Sequence, residues 1–315
     1  MGTLTEAVDS FCLDGDFAAV VALRHQCRAA VLRGLQLWPT AAYCDYRLAL
    51  DAEGPAALTG LGELSERFML GPLAEVLAST HSFASLAAWL PRTPDASSFA
   101  HECVVRGEDL RADETACALP NVLDLPLVLE PWEPSYAVAE YSPDRARFDP
   151  PDLPEPNVEV TLSRVEQASD PIVSDALGSL VAPWISSSNG RCEVATVHGT
   201  AEQAIGSLGP RSVRVVELNP SEALAWMAWA GASGGALGRR RGASAGRHNA
   251  LWALRALTGL DEGDEVDLDE LGEAAHELRW VRWNDGSPDT GWSLRLAIED
   301  PSDGIAWVIA ALDAV

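Results

Sequence analysis

The sequence predicts an α+β fold with a helical N-terminal half, a proline-rich connector, and a C-terminal mixed sheet with helices that ends in an antiparallel meander. Apolar residues recur at helical spacing up to about residue 115, nine prolines fall between Pro120 and Pro156, and strand-like alternation follows. These changes of pattern predict a helical domain over 1–119, a connector over 120–156 and an α+β domain over 157–315.

The N-terminal segment carries the signals of several helices. Asp16 is typical of an N-cap residue, and the run that follows it has apolar residues on one face. The Gly54-Pro55 pair predicts the start of another helix, whose apolar residues would be Leu58, Leu61, Leu64 and Phe68. Further helices are expected over residues 72–78, 82–90 and 95–106.

The connector holds prolines at positions 120, 126, 131, 134, 143, 150, 151, 154 and 156. Proline fixes φ and lacks an N–H group, so this density disfavours both helix and interior strand. We therefore expect an extended segment that lies on the surface or links two domains.

Strands and helices are predicted to alternate after the connector. Segments 158–162, 192–197 and 212–218 have the composition and alternation of strands, and segment 172–185 has helical spacing.

Two further helices are predicted before the last strands. Asn219, Pro220 and Glu222 supply a capping side chain, a first-turn proline and the glutamate of a capping box. A second helix is expected over 244–257, with Gly259 placed to end it.

The last 38 residues predict the antiparallel meander. Trp292, Leu294, Leu296 and Ile298 alternate with small or polar residues, as in a half-buried strand. Residues 300–304 have the composition of a turn, and segment 305–311 is apolar on both faces, which is typical of a central strand. Segment 278–283 would be a third strand.

The composition excludes several kinds of function. All 22 basic side chains are arginine and none is lysine, so there can be no lysine Schiff base and no phosphate-loop or kinase-type lysine. The net charge of −25 argues against nucleic acid and against an anionic membrane as partners.

No metal or other cofactor is expected, because the six cysteines are scattered without C-x-x-C spacing. The first residues carry acids where a secretory signal would carry basic residues and an apolar run. A cytoplasmic location is therefore expected.

The main candidate site is an arginine- and glycine-rich segment over 231–248. Its arginines could hold a small anion or contribute to binding a protein partner, and glycine would leave backbone N–H groups accessible. The candidate binding residues are Arg239, Arg240, Arg241, Arg247, His248 and Trp252. We expect at least two of the four arginines to face solvent or a cleft.

Structural explanations of the same segment remain open. Seven acids between residues 261 and 270 could neutralise the arginines within the fold. The small residues after Gly231 and Gly242 could equally allow two helices to pack closely.

An alternative hypothesis is a serine hydrolase. Residues 231–235 match G-x-S-x-G, the motif that presents a nucleophilic serine on a strand-to-helix turn, here Ser233. A triad also needs a histidine as base and an acid to orient it, and the histidine of this alternative would be His276. A helix is predicted to run into Gly231, whereas the motif requires a strand there.

Two C-terminal segments resemble a family of uncharacterised actinobacterial proteins that is catalogued only as a domain of unknown function. They read SEALAWMAWAGASGGALGRRRGASAGRHNALWALRALTGL and ELGEAAHELRWVRWNDGSPDTGWSLRLAIEDPSDGIAWV. The resemblance implies a cytoplasmic protein of a high-GC bacterium, but no activity, ligand or site residue. The sequence as a whole favours a non-catalytic protein that binds an unidentified protein partner or a small anion.

Overall fold

The computed structural model of the chain describes residues 2–62, 69–260, 267–287 and 291–314. The chain forms two compact units. Unit 1 comprises Met1–Leu129 and Val138–Asp149, and unit 2 comprises Glu130–Ala137 and Pro150–Val315. The α+β class is confirmed, because unit 1 is helical and the six-stranded sheet lies in unit 2. The division between the units runs through the proline-rich segment.

Unit 1 is built mainly from helices, with one small hairpin. Its described elements are α1 (Gly2–Leu13), α2 (Phe17–Leu32), α3 (Trp38–Asp51), α4 (Leu73–Thr80), α5 (Phe83–Leu86), α6 (Pro94–Val105), α7 (Glu114–Cys117), β1 (Glu140–Ser142) and β2 (Arg145–Arg147), with 3-10 turns at Gly54–Ala56 and Ala87–Trp89. The α4 and α6 helices confirm the segments predicted at 72–78 and 95–106. Asp16 caps α2 as expected, accepting a hydrogen bond from the Ala19 N–H at 3.0 Å.

The helix predicted after Gly54-Pro55 is not present in the described residues. A 3-10 turn over Gly54–Ala56 is followed by further turns up to residue 62, and the predicted positions Leu64 and Phe68 lie outside the described residues. Gly60 explains part of this departure, because a Cβ there would lie 2.7 Å from the buried Asp45 side chain. The backbone at Gly60 thus packs directly against Asp45, and the apolar spacing of this segment does not produce a helix.

The proline-rich segment contains only the short β1–β2 hairpin, as the proline density predicts. Within unit 1 the hairpin is fastened to the helices by two phenols. The Tyr141 hydroxyl donates to buried Glu75 on α4, and the Tyr46 hydroxyl on α3 donates to the Ser142 carbonyl, both at 2.6 Å. This part of the segment therefore belongs to the packed unit.

Unit 2 is a six-stranded sheet with helices. Its described elements are β3 (Val158–Thr161), α8 (Pro171–Leu180), α9 (Ala182–Ser186), β4 (Arg191–His198), α10 (Ala201–Ser207), β5 (Ser212–Leu218), α11 (Pro220–Ala232), α12 (Ala243–Thr258), α13 (Leu268–Glu277), β6 (Arg279–Asn284), β7 (Trp292–Asp300) and β8 (Ile305–Asp313). The strand order is β3-β5-β6-β7-β8-β4. All five strand pairings of this sheet are antiparallel. The sheet is therefore fully antiparallel, whereas the sequence predicted a mixed sheet.

Most element predictions for unit 2 are confirmed. The capping box of Asn219 and Glu222 begins α11, and Gly259 ends α12 in the left-handed conformation with φ of 68°. The β6–β7–β8 meander forms, and β8 lies inside the sheet between β7 and β4, as its two apolar faces predict.

Helices cover both faces of the sheet. The α10 helix packs on the face that carries Val281 and Ala297. The α11 helix lies on the opposite face, where the Arg282 guanidinium is 5.2 Å from the centre of the Trp226 ring. This face also positions the loop between α11 and α12, which holds most of the candidate residues.

Candidate binding surface between α11 and α12

Small residues allow α11 and α12 to pack closely. A Cβ at Gly246 would overlap the Ala228 carbonyl oxygen, and a Cβ at Gly231 would lie 3.3 Å from the Asn249 side chain. At least part of the glycine content of this segment therefore serves to let the two helices pack closely.

The loop over 233–242 is anchored to the rest of unit 2. The Ala236 N–H donates to Asp313 Oδ2 at 2.6 Å, and the Leu237 N–H donates to the Ser188 hydroxyl at 3.0 Å. The Arg241 N–H donates to the Ala232 carbonyl at 2.7 Å. These three N–H groups are used within the fold, so they cannot cradle an anion as the glycine content suggested.

Ser233 is not on a nucleophile elbow. It caps the C-terminus of α11, is 1% exposed, and follows a helix where the motif requires a strand. Its hydroxyl donates to the Ala230 carbonyl at 3.0 Å and accepts from Trp184 Nε1 at 2.7 Å. Within the described residues no histidine hydrogen-bonds to it, and His276 Nδ1 lies instead 2.8 Å from the Gly272 carbonyl oxygen. The geometry therefore does not favour the hydrolase alternative.

The Ser233 bond places Trp184 in a cluster of three tryptophans. The Trp229 and Trp292 rings stack with centroids 4.7 Å apart, and Trp184 approaches each of them at 6.4 Å. The residues 231–235 are thus a packing motif, whose serine orients a buried indole.

The four arginines separate into different environments. Arg247 is fully buried, and its Nε and Nη2 donate to both carboxylate oxygens of Glu133 at 2.7 and 2.6 Å. Arg247 is thus inaccessible in this structure and already holds a carboxylate of the chain itself, so we leave it out of the binding surface. Arg240 is partly buried, whereas Arg239 and Arg241 are exposed.

The acidic segment over 261–270 is the internal partner that the sequence suggested for these arginines. Its residues 261–266 lie outside the described residues. The carboxylate that does neutralise Arg247 belongs to Glu133 in the proline-rich segment, and no feature of the sequence pointed to that pairing.

His248 and Trp252 lie one turn apart on α12, with ring centroids 6.4 Å apart. Trp252 is 49% exposed and Leu237, which the sequence did not single out, is 58% exposed. We call these exposed or partly exposed residues of one chain segment, Leu237, Arg239, Arg241, His248 and Trp252, the 237–252 surface. No aspartate or glutamate occurs between residues 223 and 260, so the surface comes from an acid-free stretch of an acidic chain.

A groove of about 590 Å³ lies elsewhere in unit 2, along the ends of β3, β5 and β6. It is lined by three carboxylates, of which Glu155 pairs with Arg282 and Asp285 pairs with Arg295. The groove is polar and partly neutralised, and it brings together none of the residues singled out from the sequence. In the described residues no three histidine, cysteine, aspartate or glutamate side chains form a group that could hold a metal ion.

A family model matches residues 2–314, which is nearly the whole chain. The chain belongs to DUF6183, a family of unknown function. This membership confirms the resemblance to a domain of unknown function, and it assigns no activity or site to DUF6183. No curated protein and no solved structure matches the chain. Across the described residues, none of the helices is both long and apolar enough to span a bilayer.

Proposed function

We propose that the chain is a non-catalytic cytoplasmic binding protein that recognises an acidic protein partner through the 237–252 surface. One observation carries the proposal: two exposed arginines and two exposed large apolar side chains lie within an acid-free stretch of a chain with net charge −25. Tryptophan and arginine are the residues most enriched at the energetic centres of protein interfaces.

The charge distribution gives the surface its selectivity. A partner that is acidic over its whole surface would be repelled by most of the chain, whereas an acidic segment of a partner that is otherwise not acidic would be attracted locally to Arg239 and Arg241. Trp252 and Leu237 would supply the apolar contact area that charge alone lacks.

A small anion is the second candidate ligand, and it is favoured by the exposed residues Arg239 and Arg241 alone, although the Arg241 guanidinium also lies 2.9 Å from the buried Asn249 side chain. This ligand would require the two arginines and would tolerate loss of the apolar side chains. The two candidates therefore differ in their dependence on Trp252.

The test compares affinity capture by the native chain, by Trp252→Ala and by Arg239→Ala with Arg241→Ala. Captured proteins are then purified and titrated against each variant. We expect each change to weaken binding about tenfold or more. The matched control is Arg164→Ala with Arg211→Ala, which removes the same charge from two other exposed positions of unit 2.

Calorimetric titration with inorganic phosphate separates the small-anion alternative. Saturable phosphate binding that disappears in the double arginine variant and persists in Trp252→Ala would replace the protein partner by a small anion. A partner that binds all variants equally would refute the use of this surface.

A further inference from the structure

The groove along the ends of β3, β5 and β6 presents one unpaired charge of each sign. Two of the three carboxylates in its wall are paired with arginines, and the third belongs to Glu159. The wall also contains the guanidinium of Arg214. Both side chains are exposed, and neither forms a hydrogen bond or an ion pair with any residue that the structure describes. The groove therefore offers a carboxylate and a guanidinium to a ligand.

The strand register places these two side chains in one row with Asn284. Glu159 on β3 lies directly opposite Arg214 on β5, and Arg214 lies directly opposite Asn284 on β6. Side chains at opposite positions of antiparallel strands share a face of the sheet. The alternate residues Val213 and Val215 pack into the core beneath α10, so the row lies on the other face. The row thus joins a carboxylate, a guanidinium and an amide across three strands.

Hydrogen-bond donors and acceptors are separated along the row. Arg214 offers only donors, and Glu159 offers only acceptors when it is ionised. Asn284 Oδ1 accepts from the Gly286 N–H at 2.6 Å, so the side chain turns its N–H donors to the groove. A ligand carboxylate is therefore matched by Arg214 and Asn284, and a ligand ammonium is matched by Glu159.

Other parts of the wall are fixed by hydrogen bonds of the chain itself. Arg282 donates to the Pro154 carbonyl at 2.7 Å and to the Glu155 carboxylate at 3.3 Å, which holds the segment before β3 against the sheet. In the turn after β6, the Ser287 N–H donates to the Asp285 carboxylate at 3.0 Å. These parts of the groove need little ordering when a ligand binds.

We propose that this groove binds the zwitterion of a dipeptide, with its ammonium at Glu159 and its carboxylate at Arg214 and Asn284. A simple anion would pair with Arg214 but would also lie close to three carboxylates. A simple cation would lie close to the guanidinium. A zwitterion pairs both unpaired groups and adds no net charge to a chain whose own net charge is −25.

The spacing of the strands sets the length of the ligand. Neighbouring strands lie about 4.8 Å apart, so a ligand that reaches from Glu159 to Arg214 and Asn284 spans about 5–10 Å. An extended dipeptide is about 7 Å long, whereas a single amino acid is about 3.5 Å long. The groove volume of about 590 Å³ also leaves room for the two side chains of a dipeptide.

A titration of the full ¹⁵N-labelled chain with glycylglycine, followed by NMR, tests the proposal. We expect saturable shifts with a dissociation constant of about 1 mM, because the charges of the groove are exposed to water. N-acetylglycylglycine lacks the ammonium and glycylglycine amide lacks the carboxylate. Each of these should bind about fivefold more weakly or worse, because one charged group of the groove then has no partner.

Two variants assign the two ends of the ligand. Glu159→Gln should weaken glycylglycine about fivefold and remove its preference over the N-acetyl form, and Arg214→Gln should remove its preference over the amide. The matched controls are Glu193→Gln and Arg191→Gln, because both residues are exposed on β4 at the other edge of the same sheet. They should leave the affinity unchanged. Circular dichroism checks that each variant is folded.

Several results would overturn this proposal. They are the absence of saturable shifts up to about 10 mM glycylglycine, equal binding of the blocked forms, and an equal loss of affinity in the control variants. Ligand preferences that are unchanged in both groove variants would show that Glu159 and Arg214 do not contact the ligand. Trp252→Ala should retain dipeptide binding, and the groove variants should retain the partner of the 237–252 surface. Failure of this proposal and failure of the proposed function therefore remain distinguishable.

Discussion

Arg247 and Glu133 lie 114 residues apart in the sequence and form a two-point ion pair whose side chains are 0% and 1% exposed. Tyr136 completes the group by donating its hydroxyl hydrogen to Glu133 at 2.6 Å, and burial raises the pKa of this phenol. A buried carboxylate is tolerated only when its oxygens are paired, so the three side chains depend on one another. They hold residues 130–137 of the proline-rich segment within unit 2.

The first prediction concerns this pair. Arg247→Met should lower the free energy of unfolding by about 3–5 kcal/mol, because it leaves a buried carboxylate without its cation. Adding Glu133→Leu should recover most of that loss, although the Tyr136 hydroxyl would then lack its acceptor, at about 1–3 kcal/mol. Urea unfolding of the two variants measures both effects. A double variant less stable than Arg247→Met would show that the pair does not act as a unit.

The second prediction concerns Ser233. Ser233→Ala should destabilise the protein by about 1–3 kcal/mol, because Trp184 Nε1 would lose its acceptor inside the fold. A fluorophosphonate reagent should leave Ser233 unlabelled in the native protein, since its hydroxyl is buried and no histidine hydrogen-bonds to it within the described residues. Mass spectrometry of the treated chain checks this, and stoichiometric labelling at Ser233 would restore the hydrolase hypothesis.

The third prediction compares two glycines with similar backbone conformations. Gly235 has φ of 76° and Gly259 has φ of 68°, but only at Gly235 would a Cβ overlap another group, the Asp313 carboxylate. Gly259→Ala should cost about 1–2 kcal/mol for the left-handed conformation alone. Gly235→Ala should cost clearly more, because the loop must also move away from Asp313. Equal destabilisation of the two variants in thermal unfolding would contradict this, because it would mean that the loop moves away from Asp313 without destabilising the protein.

The fourth prediction concerns acid stability. Arg279 on β6 donates to Glu202 on α10 at 2.7 Å, and this hydrogen bond holds the pKa of the Glu202 carboxyl below its ordinary value. A folded-state pKa that is lowered adds stability above the unfolded pKa, and that stability is lost as the pH falls through the folded value.

Glu202→Gln should therefore lose less stability than the native chain on acidification from neutral pH. We expect a difference of about 0.5–1 kcal/mol, because the pair is partly exposed to solvent. Urea unfolding at neutral and acidic pH measures it. Glu159→Gln is the control, since it also removes one carboxyl group, from an exposed position on β3.

Local sequence signals predicted most helices and strands, but they did not predict which residues far apart in the sequence would pair. The Asn219 capping box and the Gly259 stop are formed by neighbouring residues, and both were confirmed. The α3 helix was not singled out, because ten of its fourteen residues are buried and the amphipathic period disappears. The pairing of Arg247 with Glu133 was not predicted, because it is fixed by the tertiary fold and nothing near Glu133 in the sequence points to an arginine.

The division of the proline-rich segment between the two units has a consequence for the descent of this family. The chain passes from one unit to the other three times, after residues 129, 137 and 149. Neither unit is encoded by one uninterrupted stretch, so a single recombination event cannot transfer either of them whole to another gene. A truncation at residue 129 would remove Tyr141 and leave Glu75 buried without that donor. The two units are thus expected to be inherited together, which agrees with one family model spanning residues 2–314.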